Sequence, residues 1–330
     1  MGSRDKAQGV RARLLRLLQE HRDEFLSGEE AARLLGCTRA AVWKAVTALR
    51  EQGYEFEAGS NRGYKLVQRS ALPNPEGIRL FLEKQDVDVE VFDMISSTNQ
   101  IAFNEAAQGK LPHGSVILAR GQSEGRGRKG KSFYSPRDCG LYMSVILRPR
   151  TTLSRSLRIT ALSAVAVRRA VRRICGKELD IKWVNDLFLD GKKVCGILTE
   201  AAADMESGGL SYAVVGIGLN LFPSDEDLPE ELSGVIGTVW PDRMQAEGTD
   251  LCALAAAITN ELLACLDQEG IPEEYRRYNL VPGHRIRIGT GDGDSRMAIA
   301  LSILEDGRLQ VREEDGSVSV LSYGEISIIV

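Results

Sequence analysis

The chain has six cysteines, yet no Cys-x-x-Cys pair, and none of its three histidines stands near a cysteine in sequence. That spacing argues against a zinc site or a redox dithiol, and it leaves reduced thiols as the expectation. Long apolar runs are also missing. The longest, Leu251–Ile258, includes Cys252 and several alanines, well short of the roughly 20 residues that span a bilayer. No apolar signal segment opens the chain, so a soluble, cytoplasmic protein with no membrane partner is expected. The glycine-rich run at 125–131 lacks the Gly-x-x-x-x-Gly-Lys-Ser/Thr spacing of a P-loop.

What is present begins with an uneven distribution of charge. Residues 1–69 carry 13 Lys and Arg against 9 Asp and Glu, whereas residues 70–330 carry 29 against 37. A basic module on an acidic body points to a polyanion met by the first part alone. Val10, Leu14, Leu17 and Leu18 recur at helical spacing. Ser27-Gly-Glu-Glu30 is a capping box for a second helix that stops at Gly36, and Thr38 can cap a third that stops at Gly53. The two helices around Gly36-Cys37-Thr38 make a helix-turn-helix. Its second helix would offer Thr38, Arg39, Ala40, Trp43 and Lys44 outward, with Ser27 nearby. Two short strands around Gly59-Ser-Asn-Arg-Gly63 would add a wing with Asn61 and Arg62 at its tip. A small helical protein-interaction domain is the competing reading.

Arg69–Pro75 is polar and broken by prolines, which marks a linker. Three domains are therefore expected, at 1–69, 70–280 and 281–330. The middle one mixes strands (115–119, 141–147, 181–184, 187–189, 194–199, 211–217) with long helices at 155–175 and 250–267. That pattern suggests an α+β fold with a mixed sheet and helices on one face. The last is all strand, with turns at Asp306-Gly307 and Asp315-Gly316, and reads as a small barrel.

Four clusters carry chemistry. Gly125-Arg-Gly-Arg-Lys-Gly-Lys131 packs four cations and three glycines into seven residues, suited to cradling an anion, although a solvated basic loop is the plain alternative. Too hydrophilic to fold alone, the run is expected to order around its ligand. Lys182-Trp183-Val184-Asn185-Asp186 puts a lysine in an apolar strand, where it needs an anion or a path to water. Gly216-Ile-Gly-Leu-Asn220 alternates glycines along a strand, as if something flat approached the backbone, or as simple tight packing. Ser97-Thr98-Asn99 can cap a helix or hold a neutral polar ligand.

Together with Gln122 and the Lys193…Gly196-Ile-Leu198 hairpin, these motifs occur in an order that resembles the biotin–protein ligases. With its N-terminal module the chain is similar to the bifunctional bacterial kind, which also represses biotin synthesis genes. The resemblance implies a class II synthetase-like catalytic domain, an SH3-like C-terminal barrel, and biotin and ATP as substrates with Mg²⁺ on the nucleotide. Biotin's carboxylate would attack the α-phosphate of ATP, and the biotinyl group would pass to a lysine of a biotin carboxyl carrier protein. By similarity Ser97, Thr98, Asn99, Gln122, Gly125, Arg126, Gly127, Arg128, Lys193 and Gly196 fall to biotin. Arg126, Arg128, Phe133, Lys182, Trp183, Asn185 and Asn220 fall to ATP, and Arg128, Lys182, Asp186 and Lys193 to catalysis, with no metal held by protein side chains alone. Operator DNA and an adenylate-bound homodimer are the further partners implied.

Four features depart from the family pattern. Val184 stands where proline is usual, Phe133 where a tryptophan is usual, Met297-Ala-Ile-Ala-Leu301 lacks the expected glycines, and Ile329 stands where an arginine often follows. The alternatives to a ligase-repressor are a transcription factor that only senses biotin, and a ligase for lipoate or another short acid.

Overall fold

Local signals build the first helices. In the structure, a computed structural model, all residues are described except 1–2, 23, 60–61, 69, 71, 85, 150–155, 205–208, 226–227, 247, 290–294, 323 and 330. Asn61 at the expected wing tip, Arg69 at the head of the expected linker and Arg155 of the expected long helix thus lie outside the described residues. Helix α1 (Ser3–Glu20) precedes α2 (Gly28–Leu35) and α3 (Arg39–Glu51). Ser27 Oγ accepts from the Glu30 amide at 3.0 Å, and Thr38 Oγ1 from the Ala41 amide at 3.1 Å. Each satisfies an amide the first helical turn would leave bare. Gly36 ends α2 in the left-handed region, with φ 61°. Leu14, Leu15, Leu18, Val42, Ala45, Val46 and Leu49 form the core of this three-helix group. Strands β1 (Glu55–Gly59) and β2 (Gly63–Gln68) form the hairpin wing. Tyr64 also bridges to Leu26, and Gly63 (φ 100°) permits it, because a Cβ there would lie 2.0 Å from the Leu26 carbonyl oxygen. Helix α4 (Pro75–Phe81) and strand β3 (Val89–Phe92) follow.

The chain divides into two compact units, one of residues 1–85, 89–91 and 250–257, the other of 86–88, 92–249 and 258–330. In the second unit come α5 (Thr98–Ala107), β4 (Val116–Ala119), β5 (Gly140–Leu147), α6 (Ser156–Cys175), β6 (Asp180–Lys182), β7 (Asp186–Leu189), β8 (Lys192–Ala203) and β9 (Leu210–Asn220). Its strands hydrogen-bond in the order β4-β5-β9-β8-β7-β6 with antiparallel ladders. Short parallel bridges, Ile95 to Gln122 and Lys193 to Ile236, make the arrangement mixed. The β7–β8 turn falls on Asp190 and Gly191, both at positive φ (50° and 76°), as a two-residue hairpin with right-handed strand twist requires.

The helices do not share one face. Ser144 on β5 is opposite Gly216 on β9, which is opposite Leu198 on β8. Side chains alternate along a strand, so Ser144 and Thr199 point to opposite faces. Asn99 of α5 bonds Ser144, and Thr160 of α6 bonds Thr199 at 2.8 Å. Helices α5 and α6 therefore cover opposite faces, because α5's apolar residues pack on Ile117, Ile146 and Val214 rather than beside α6.

After α7 (Leu251–Leu266) and α8 (Glu273–Arg277), five strands close the chain: β10 (Arg285–Gly289), β11 (Ser295–Ile303), β12 (Leu309–Glu313), β13 (Val318–Leu321) and β14 (Glu325–Ile328). They form an antiparallel sheet ordered β13-β12-β11-β10-β14. The expected closed barrel is not formed among the described residues, where the two four-residue strands stand at opposite edges of an open sheet. No helix among the described residues is long and apolar enough to cross a membrane.

Candidate functional site

Residues 95–98 and 122–124 run side by side, and this pairing creates the site. The Ser123 and Glu124 amides donate to the Ile95 and Ser96 carbonyls, both at 2.9 Å. Thr98 is thereby set against Gln122, whose Oε1 accepts from the Thr98 amide (2.8 Å) and hydroxyl (3.1 Å). Gln122 Nε2 donates to Ser135 Oγ at 2.9 Å. Ser97 caps α5, its Oγ accepting from the Gln100 amide. Ser144, the one serine of β5, lies 2.9 Å from both Thr98 Oγ1 and Asn99 Oδ1. Ser97, Thr98, Asn99 and Ser144 are all buried, so hydrogen bonds fix this neutral corner.

The floor is made of glycines. A Cβ on Gly216 would lie 2.4 Å from Asn99 Oδ1, and one on Gly218 would lie 2.4 Å from the Phe133 ring. One on Gly196, facing Gly218 across the β8–β9 ladder, would also meet that ring, at 3.0 Å. The flat groups that approach the backbone are thus the Asn99 amide and the Phe133 ring. Phe133 makes an edge contact with Tyr142 at 6.4 Å. The Phe133 ring rests on this floor beside Gly196 and Gly218.

Cations supply the other wall. The 125–133 loop is a hairpin closed by its own backbone. The Phe133 amide donates to the Gly125 carbonyl (2.8 Å) and the Gly127 amide to the Lys131 carbonyl (2.7 Å). Its tip turns through Lys129 and Gly130 at positive φ. Glycine is needed at 125, where a Cβ would lie 2.3 Å from the Phe133 carbonyl oxygen. Arg126 Nη1 donates to Gln100 Oε1 at 2.9 Å. Arg128 Nη1 donates to Asn185 Oδ1 (3.0 Å) and the Gly324 carbonyl (3.4 Å). Lys193 Nζ lies 2.8 Å from Asp186 Oδ1, and Lys182 Nζ lies 5.6 Å from the Phe188 ring centre.

These groups surround one cavity of about 380 Å³, within the range of small-molecule sites. Ser97, Thr98, Asn99, Gln122, Arg126, Gly127, Arg128, Phe133, Lys182, Asn185, Asp186, Lys193, Gly196 and Asn220 all line it. Trp183 touches the cavity too, but its indole is buried and its N–H donates to the Gly307 carbonyl at 2.8 Å. That N–H is committed to the C-terminal sheet and is not free for a nucleotide. Gly125 shapes the loop instead of lining the space. Sequence reasoning missed Ser144 and Glu200, which bond Asn99, and the Leu232, Val235, Ile236 and Gly324 walls. A serine within Leu-Tyr-Met-Ser-Val-Ile-Leu was the available signal for the first. Cys195, beside the site, is fully buried, and desolvation pushes its thiol far up, which rules it out as a nucleophile at neutral pH.

In the N-terminal module Thr38, Arg39, Ala40, Trp43 and Lys44 are exposed at the start of α3, Trp43 by 60%. Arg62 is exposed, with its guanidinium 4.6 Å over the Phe25 ring. Ser27 is half-buried and occupied by its capping bond.

A pocket of helix-cap hydroxyls, glycines and cations thus follows a winged helix-turn-helix in the chain. Residues 91–220 match the Biotin/lipoate A/B protein ligase family, and residues 10–65 match the HTH domain. The bifunctional ligase/repressor BirA of Bacillus spizizenii is 32% identical over 95% of this chain and 97% of its own. That of Escherichia coli is 29% identical over 92% and 93%. A solved biotin protein ligase from Aquifex aeolicus, in complex with biotin and ATP, shares the fold at TM-score 0.59 and 22% identity, covering 73% of this chain and 98% of its own. The chain belongs to the family of bifunctional ligase/repressor proteins.

Proposed function

We propose that the chain is an ATP-dependent biotin–protein ligase that also acts as a biotin-responsive repressor. One observation carries this reading: a neutral hydrogen-bonding corner and a six-cation wall (Arg126, Arg128, Lys129, Lys131, Lys182, Lys193) meet at one cavity where Asp186 is the single lining carboxylate among the described residues. The corner at Thr98, Asn99 and Gln122 suits biotin's neutral ureido ring. The cations suit its carboxylate and the nucleotide's phosphates. Two unit charges 4 Å apart repel by about 4 kcal/mol at an effective dielectric of 20, so fixed cations are what lets carboxylate and phosphate meet.

In the first step the biotin carboxylate oxygen bonds to the α-phosphorus and pyrophosphate leaves with the bond's electron pair, giving biotinyl-5′-AMP. In the second an acceptor lysine's amine attacks the mixed anhydride and AMP leaves. That amine must shed a proton, and Asp186, paired with Lys193, is the carboxylate in reach of the cavity. Mg²⁺ would arrive on the nucleotide. With Asp186 as the single lining carboxylate among the described residues, its remaining ligands would be phosphate and water. Residues 1–69 read operator DNA through α3 and the wing, residues 70–280 carry the ligation, and residues 281–330 contribute Gly324 to the Arg128 side of the cavity. The acceptor is a biotin carboxyl carrier protein, the DNA-bound form is an adenylate-promoted homodimer, and the compartment is the cytoplasm. Biotin-dependent ATP–pyrophosphate exchange tests the reading; folded protein that exchanges with lipoate but not biotin, or with neither, overturns it.

A further inference from the structure

Glu200 belongs to none of the motifs above and does not line the cavity, yet both of its oxygens are engaged by residues that do. It sits on β8 opposite Val214, on the same face as α5. Its Oε2 accepts from Asn99 Nδ2 at 2.6 Å, and its Oε1 lies 3.3 Å from Arg126 Nη2. A charge-assisted hydrogen bond fixes the orientation of the Asn99 amide: the NH₂ turns to Glu200, and the oxygen turns to Ser144. The same carboxylate, with Gln100 Oε1, anchors the first arginine of the loop.

We infer that Glu200 is a positioning residue for the biotin end of the reaction, acting through Asn99 and Arg126 without touching substrate. This rests on the biotin–ligase reading. A carboxylate can serve both partners because each needs an acceptor. Glutamine keeps one acceptor for Asn99 but would turn an NH₂ toward the guanidinium, which has only donors. Alanine removes both. On the nucleotide side, Asn185 bonds Arg128 and the Ile197 carbonyl, and Asn220 bonds the Gly237 carbonyl.

The test is pyrophosphate exchange with the full chain, titrating biotin and ATP separately, for wild type, E200Q, E200A, N99A and N99A/E200A. For E200Q we expect a rise in the biotin KM of about tenfold, the effect of one lost charged hydrogen bond. E200A should show more, and both should keep the ATP KM within about twofold. Because Glu200 works through Asn99, N99A/E200A should exceed N99A by less than E200A exceeds wild type. E200Q is close in size and shape to the native residue, so the result does not depend on E200A folding. An unchanged biotin KM, an equal rise for both substrates, or additive mutations would overturn the inference while leaving the ligase reading intact. A wild-type chain without biotin-dependent exchange would overturn both.

Discussion

In residues 10–66 each exposed side chain proposed to meet DNA lies within a stretch that also holds the signals for its own element. Arg39 and Lys44 follow the Thr38 cap and sit on a helix whose inner face is Val42, Ala45, Val46 and Leu49. The cavity is built the other way. Thr98 meets Gln122, Asn99 meets Ser144 and Glu200, and Arg128 meets Asn185 and Gly324, pairs separated by 24 to 196 positions in the chain. A helix face is specified by period and caps, so its chemistry travels with its fold. A cavity is specified by which strands become neighbours, so its chemistry appears only when the sheet closes.

Substitutions should therefore separate the two regions. The largest effect is expected for Lys182→Ala, which removes one fixed cation from the phosphate wall. Exchange should fall about 100–1,000-fold, the usual loss for one preorganised charge-stabilising group, while the melting of the N-terminal module stays in place. An activity within about threefold of wild type would remove Lys182 from the machinery. Next, Gly63→Ala puts a Cβ into the Leu26 carbonyl at a positive φ. It should cost about 2–3 kcal/mol in the winged module, read as an earlier first transition in denaturant with pyrophosphate exchange preserved. Smaller still, Lys44→Ala should weaken DNA binding uniformly across sequences and lower the salt slope by about 1, with no change in exchange.

The smallest effect concerns neither functional surface. Arg120 donates to both Asp138 oxygens at 2.7 Å, and those bonds hold the Asp138 carboxyl below its ordinary 3.8. A lowered carboxylate contributes stability above that ordinary value and loses it as pH falls through the lowered one. Asp138→Asn should flatten the acid limb of a thermal-melting profile below about pH 4 and leave neutral-pH activity unaltered. An acid limb identical to wild type would place the sensitivity elsewhere.

The chain of residues alone determined the caps at Ser27, Thr38 and Ser97, the Asp190-Gly191 hairpin, the buried strands and the segments that converge on the cavity. These follow from backbone donors near in sequence and from the period of apolar residues, which tertiary packing did not overrule. What only the tertiary structure decided is what lies between distant segments. The Phe133 ring lies on Gly196 and Gly218, Trp183 turns its N–H to Gly307, α5 and α6 take opposite faces, and the last five strands form an open sheet among the described residues. Glu200 shows the reason most plainly. In sequence it is one charge after an apolar run, and only the β8–β9 register and the placement of α5 put its two oxygens between Asn99 and Arg126.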